Sequence, residues 1–503
     1  MKSFLTFALI AIACRATHAA DLPTIRGRVI DDRNSNGQFD AGETGLAGVT
    51  VTDGVQFVLT GPDGAYELKM VEDPVIPFHP SRTVAVSWPS GRWPSSRWYA
   101  RLADIKPDEP LNFALRPDEQ KLPFTFAQSS DPHDNLRGDG SRRMRDDVAA
   151  MGDRVKFCVF TGDLGYASLE GADGMFRDIR EFTRAFPVPM FHTVGNHDVV
   201  GIHTPSWSQL NELSGNGPFT KYVSPVRWSF TYAGIHIVGM DWMKIVGATL
   251  ELGQPDVAGD WLDKDLSLLK PGTRTIFFSH CVDGNDRKFY DVAVKHKIEL
   301  IMAGHSHRNL DISHRGIKAI TVMNQRGPYR LANVTEKEVQ IINRCTGCKD
   351  PSYHSKGCAM ARGHKSGAVG TGSKLKAADI ALPDGAKSVG QTGQESVEVL
   401  AVIDPGASKR CGLRLKPPGG AAPLTISLAD NVLTAGDVWT SMTRRADQPL
   451  CDLRLFVEKG QVSLYACGRV QFDVPWQAAG PCEVEFFTEG GAATLKSFDT
   501  WDR

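Results

Sequence analysis

The stretch LIMAGHSHRN, residues 300–309, runs four apolar residues to a turn at Gly304 and then presents His305 and His307. Two residues apart, these histidines fall on one side of an extended backbone. The same arrangement recurs four times. FTFAQSSDPH runs into Asp131 and His133, VKFCVFTGD into Asp163, and MFHTVGNHD delivers Asn196, His197 and Asp198, while TIFFSH ends on His280. Imidazole with carboxylate suits Zn, Fe or Mn, and the lack of thiolate at these positions argues against a closed structural zinc site. The strong donors Asp131, His133, Asp163, Asn196, His280, His305 and His307 are too many for one four-coordinate ion and suit two ions sharing a bridge. Such a pair, ~3.5–4 Å apart, clamps the oxygens of an in-line displacement at phosphorus. Asp131 and Asp163 carry the only charges among these donors, so two divalent ions keep a positive excess that attracts a phosphoryl group.

The donors need elements to carry them. Over residues 120–342 apolar runs of strand length alternate with helix-like stretches, the pattern of an α/β domain. In open α/β sheets ligands gather outside the carboxyl ends of the strands, so five tips with metal-type donors predict one shared site.

Order, spacing and residue type together resemble the calcineurin-like metallophosphoesterases, whose pattern is D-x-H, GD, GNH[DE], a lone H and GHxH. All five motifs occur in order across roughly residues 124–325, and the hairpin RWSFTYAGIHIVGMD and the helix AGDWLDKDLSLLK also look like that family. The resemblance implies an α/β fold: a four-layer β-sandwich flanked by helices, carrying two divalent or transition metal ions (Mn, Fe or Zn). It assigns Asp131, His133 and His307 to the first metal, Asp163 to the bridge, and Asn196, His280 and His305 to the second. His197 then has no metal and stabilises the developing charge or protonates the leaving oxygen, with Asp198 orienting it. The implied activity is hydrolysis of phosphomonoesters or small phosphodiesters by metal-activated hydroxide attack on phosphorus.

The second motif departs from many relatives in reading GDLGY. A tyrosine at this place ligates ferric iron in purple acid phosphatases, but those enzymes lack the histidine that His133 supplies. Tyr166 is therefore expected behind the ligands or in the core.

Around this domain the chain divides further. Residues 1–20 read as a secretory signal peptide, with Lys2, an apolar run from Phe4 to Cys14 and small residues at Ala19 and Ala20. Cys14 is alternatively a lipid-anchor site, although Ala11 stands where a larger aliphatic is usual. Either reading puts the protein outside the cytoplasm, as a periplasmic, cell-surface or secreted protein, and no later run is long enough to span a membrane. Residues 21–118 look like a small β-module of short β-branched runs. Its loop DDRNSNGQFDAGETG places Asp32, Asn34, Asn36, Asp40 and Glu43 at the spacing of a calcium loop. Because strands flank it, it resembles the loops of prealbumin-like and CNA-B-like modules of exported bacterial proteins. The bland reading, an Asn/Asp-rich hairpin turn, stays open beside a structural calcium. Residues 343–394, rich in Gly, Ser and Lys, read as a linker in which Cys345, Cys348, His354 and Cys358 favour disulfides over zinc. Residues 395–503 return to alternating β-type runs, a C-terminal β-sandwich, and LRLFVEKGQVSLYACGR resembles a segment of the β-sandwich of invertase-type glycosidases. One or two disulfides among Cys411, Cys451, Cys467 and Cys482 are expected there.

With Lys+Arg 57 against Asp+Glu 58, nothing suggests a nucleic-acid partner, and a small phosphorylated substrate is expected. A rival of another class is a cell-surface carbohydrate-binding protein whose metal domain is vestigial. His192, His203, His236, His296 and His314 lie off the tips and read as surface or core residues, Trp207 and Trp228 as packing, and the arginines of RRMRD as a solvated helix start.

Overall fold

The computed structural model describes residues 22–73, 82–133, 136–168, 170–200, 215–246, 249–252, 256–322, 328–345, 377–392, 397–442, 451–458, 460–466, 470–476 and 481–502. The signal-peptide reading with Cys14, the residues Cys348, His354 and Cys358, and His203, Trp207 and Cys467 lie outside the described residues.

In the first module two four-stranded sheets face each other. One holds Ala65–Lys69, Thr24–Asp31, Phe113–Pro117 and Arg92–Pro94, and the other Phe57–Leu59, Thr50–Thr52, Thr83–Ser87 and Tyr99–Arg101. Thr24–Asp31 buries Ile25, Gly27 and Val29 and leaves Arg26 and Arg28 exposed, the alternation of a strand with one solvated face. Trp88 leaves this module and stacks on Phe230 of the next domain, with ring centroids 4.7 Å apart. Beside it the fully buried Arg227 bridges Asp73 and Asp241, each at 2.9 Å, tying the two domains together.

The central domain has two sheets. The strands β1 (Phe124–Ser129), β2 (Val155–Thr161) and β3 (Met190–Thr193) are parallel neighbours. Two helices follow β1 and β2 in turn, α1 (Asp139–Met151) and α2 (Ala172–Ala185). The second sheet opens on the hairpin β4 (Trp228–Tyr232) and β5 (Ile235–Gly239). The helix α3 (Asp256–Ser267) leads to β6 (Thr275–Phe278), and α4 (Arg287–His296) to β7 (Leu300–Ala303), followed by β8 (Lys318–Thr321). Strands β5, β6, β7 and β8 are all parallel.

Phe126, Phe157, Phe230 and Phe278 fill the space between the sheets. Met144, Val148, Phe176 and Ile179 pack the outer helices on the first sheet, and Trp261, Leu262 and Phe289 pack α3 and α4 on the second. Helix, sheet, sheet and helix make the four layers that the motifs imply.

The first sheet does not end with its domain. Beyond β1 it continues antiparallel through β9 (Pro328–Val334) and β10 (Val339–Cys345). Then β11 (Val470–Pro475) pairs with β10 through Asn343↔Gln471 and Arg344↔Val470, giving one sheet of 11 strands shared with the C-terminal domain. A six-stranded sheet from Gly385–Gln391 to Val438–Ser441 forms the other half of the C-terminal sandwich. The expected linker over 343–394 is corrected at both ends: β10 runs to Cys345, and 377–391 form two strands. The strand Gly385–Gln391 is mostly exposed, which is why its composition reads as linker.

Buried Arg344 pairs with Asp147 of α1 at 2.9 Å and donates to the Ser441 carbonyl at 2.5 Å, so the joint between the domains is polar as well as paired. Cys451 is disulfide-bonded, and Cys411 and Cys482 lie buried in the same domain.

Candidate metal centre

The loops after β1, β2, β3, β6 and β7 meet at one edge of the two sheets. Their approach is close enough to demand glycine. A Cβ on Gly195 would run into the Asp163 amide and carboxylate, and one on Gly304 into Ser130 and the Asp131 carboxylate. Asp131, His133, Asp163, His305 and His307 all have positive φ, between 53° and 63°, where non-glycine residues are rare. Each chain turns sharply at its strand tip and aims a side chain back over the edge.

Both aspartates anchor one oxygen and leave the other for the site. Asp131 Oδ2 accepts the His305 N–H at 3.0 Å, and Asp163 Oδ1 accepts the His197 N–H at 2.9 Å. The remaining oxygens face histidines. His307 Nε2 lies 3.2 Å from Asp131 Oδ1 and 3.1 Å from His133 Nε2. On the other side His280 Nε2 lies 3.3 Å from Asp163 Oδ2, 3.0 Å from Asn196 Oδ1 and 3.2 Å from His305 Nδ1. Asp163 Oδ2 is also 3.7 Å from His133 Nε2, so a single oxygen looks into both groups.

The donors thus cluster as Asp131, His133 and His307, as Asp163, His280 and His305, and, between them, as His133, Asp163 and His197. Among the described residues Asp131 Oδ1, beside the His307 ring, and His133 Nδ1 are buried without a hydrogen bond, the kind of orphaned polar atom that proteins keep only where something else satisfies the site. A pair of divalent ions fits these residues.

Electrostatics agree with that fit. Burial works to raise Asp163, but the His280 charge and the His197 N–H outweigh it and hold the carboxyl at about 2. For His280 burial works downward, while Asp163 and the Thr161 carbonyl win and keep it up at about 9. The Nδ1–H of His280 donates to that carbonyl at 2.7 Å, which fixes the tautomer and turns Nε2 inward. Burial lowers His133 and His305, favouring the neutral imidazole that a metal takes.

Asp198 is fully buried, and both its oxygens go to backbone donors: Leu164 and Gly165 on Oδ1 at 2.8 and 3.3 Å, and Gly195 on Oδ2 at 2.8 Å. It ties the second motif's loop to the third, so any influence on His197 runs through the backbone of that turn. Burial, helped by the Asp163 charge, pushes its own carboxyl up.

One reading from the sequence is revised at this site. Tyr166 is not core: it is 60% exposed and stacks on the His133 ring. The signal for it was its position three residues after Asp163. The helix-start arginines stay with α1's own surface, Arg142 and Arg143 pairing with Asp139.

The off-motif histidines keep to structural roles. His236 pairs with Asp265 and His296 with Asp263, His314 packs edge-on against Tyr290, and buried His192 contacts Thr183. Trp228 is buried, its indole N–H donating to the His192 carbonyl at 2.8 Å.

Residues 124–309 match the sequence profile of the calcineurin-like phosphoesterases. Over those residues the central domain is similar to that family. No curated protein sequence matches the chain. Among solved structures, a putative 5′-nucleotidase from Staphylococcus aureus is 15% identical, covering 44% of this chain and 52% of that one at a TM-score of 0.30. Phosphopantetheinyl hydrolase from Mycobacterium tuberculosis is 12% identical over 41% of this chain and 91% of its own, TM-score 0.28. The galectin LEC-6 of Caenorhabditis elegans is 16% identical over 25% of this chain and 96% of its own, TM-score 0.19. The likeness over residues 124–309 supports a metal-dependent phosphoesterase, and the described residues include His and Asp groups that could hold a metal ion.

Proposed function

We propose that this protein is an exported dinuclear-metal phosphoesterase acting on phosphomonoesters or small phosphodiesters. The observation that carries the reading is the shared Asp163 Oδ2, which faces His280 Nε2 at 3.3 Å and His133 Nε2 at 3.7 Å. Asp131, His133 and His307 would hold one ion and Asn196, His280 and His305 the other, with Asp163 shared between them. When bound, the ions supply Lewis acidity and a water-derived nucleophile near neutral pH. The chain's own residues do the rest. Asn196 offers a neutral oxygen and so preserves the positive charge that draws phosphate. His197, with Nε2 4.0 Å from Asp163 Oδ2, stands beside the site to donate a proton to the leaving oxygen. Asp198 positions it through the turn at Gly195.

Export is supported by the N-terminal sequence and by the Cys451 disulfide, a bond of oxidising compartments. Among the described residues no helix is long and apolar enough to cross a membrane. In the first module the oxygens of Asp32, Asn34, Asn36, Asp40 and Glu43 are those a structural calcium takes. The carbohydrate-binding alternative gains nothing from the site, whose His and Asp donors gather as groups suited to metal.

Turnover of p-nitrophenyl phosphate against its bis-ester by the metal-loaded protein tests the reading and picks the ester class. Metal-dependent release of nitrophenol supports it. No release from either ester after loading with Mn, Fe and Zn refutes it.

A further inference from the structure

An exposed aromatic side chain at the rim of a polar site has no packing reason to be there. Tyr166 is 60% exposed, yet its neighbours hold it firmly. The Gly165 N–H before it is bonded to the Asp198 carboxylate at 3.3 Å, and the Ala167 N–H after it to the His197 carbonyl at 2.8 Å. Its ring lies 4.7 Å from the His133 ring at an interplanar angle of 20°, a stacked contact. It meets the His197 ring edge-on, with centroids 4.6 Å apart at 69°. The face against His133 is covered, so the exposed area belongs to the opposite face and the hydroxyl edge. A rigid, amphipathic aromatic surface held in place before the ligand arrives gives contact area at little cost in conformational entropy.

Its place also says which part of the substrate it meets. His133 marks the metal side, where the phosphoryl group sits. His197 marks the leaving oxygen. Tyr166 touches both rings, so a leaving group departing past His197 passes beside its open face.

We infer that Tyr166 is a stacking platform that selects phosphoric esters whose leaving group carries a planar ring next to the ester oxygen. The inference rests on the phosphoesterase reading of the site and deepens it. No step in it requires Tyr166 to bind metal or to titrate.

The test compares wild type, Tyr166→Ala and Tyr166→Phe in the metal-loaded full chain. Phenyl phosphate is set against methyl phosphate for turnover, and phenylphosphonate against methylphosphonate for calorimetric binding. Intrinsic reactivity cancels when each preference is referred to wild type. Tyr166→Ala should lower the phenyl-over-methyl preference about three- to tenfold in both assays, the range an aromatic pair supplies. Tyr166→Phe should keep the preference within about twofold, because the ring and not the hydroxyl carries the contact.

An unchanged preference in Tyr166→Ala overturns the inference. So does an equal loss on both probes with a fall in bound metal, which would make Tyr166 a support for His133 alone. If neither ester turns over but the phosphonate preference falls, the platform stands and the phosphoesterase reading fails. If wild type binds neither phosphonate, both are overturned.

Discussion

Two places in this chain gather metal-type donors, and they differ in where those donors find their hydrogen bonds. In the loop 32–43 the donors satisfy one another. Asp40 accepts the side-chain amides of Asn34 at 2.7 Å and Asn36 at 2.6 Å. Asp32 accepts the N–H groups of Asn36 and Gly37, and Glu43 those of Arg33 and Asp40. Amide hydrogens occupy the positions a cation would take.

At the strand tips the opposite holds. One oxygen of each aspartate is anchored, and among the described residues Asp131 Oδ1 and His133 Nδ1 are buried without a hydrogen bond. Five ligand residues also sit at positive φ, whereas in the loop the only non-glycine residue there is Ser35. Strain and orphaned polar atoms persist only where the surroundings hold them in place, and they concentrate at functional sites. The first region's donors are satisfied within the chain; the second leaves buried polar atoms for something else to satisfy.

The sharpest way to break that contrast is at the bridge. Asp163→Asn should lose both ions and reduce ester hydrolysis to background, checked by elemental analysis beside a turnover assay. His197→Ala should cost about 10²–10⁴-fold in kcat, the range of a general acid, while both ions stay. Full activity in that variant would remove His197 from the chemistry.

Next in size is Gly195→Ala, whose Cβ would collide with the Asp163 amide and carboxylate. It should lose metal nearly as completely as Asp163→Asn, with a far-ultraviolet circular dichroism spectrum like that of wild type. Retention of two ions would show that the loops can yield, and the site would then be less preorganised than the strain implies.

The third effect is on pH. Without metal, His280 holds its proton up to about 9, burial opposing and Asp163 prevailing. Metal must displace that proton, so below about pH 9 its apparent affinity should rise with pH, and binding at pH 7 should release a proton. Calorimetry in two buffers of different ionisation enthalpy measures the release. The same raised value gives the metal-free fold a stabilisation that is full below pH 6.5 and lost as pH rises through about 9. Saturation with metal should abolish that loss.

How much of this contrast the sequence carried depends on how local the determinant is. A donor directly after an apolar run reveals both the strand and the direction of its tip, which is why Asp131, Asp163, His280 and His305 were legible. Pairing between distant strands has no such local mark. Nothing near Asn343 announces Gln471, so the sheet's continuation into the C-terminal domain was invisible, and a linker was read where β10 simply runs on. Of the two places expected for Tyr166, behind the ligands or in the core, the structure excludes the core. An aromatic in an apolar-looking turn implies burial, and only the loop hydrogen bonds on either side of it show that it is held out over the site. The Asn/Asp loop was legible as a donor set, yet spacing alone does not tell whether amide hydrogens or a cation fill its centre.

The smallest effect addresses that loop. Added calcium should raise the melting temperature by about 2–4 °C, as expected for gaining one modest structural ion, with ester turnover unchanged. No shift would mean that the hydrogen bonds of Asn34 and Asn36 to Asp40 close the loop unaided.

The most direct test of the central claim is elemental analysis of the purified mature protein, with ester turnover followed in the same preparation. About two transition-metal ions per chain, removed by a chelator together with the activity and restored with it, is the result these residues predict. A protein that binds no Mn, Fe or Zn and turns over no phosphate ester would contradict it, leaving five strained residues on three strand tips without a purpose.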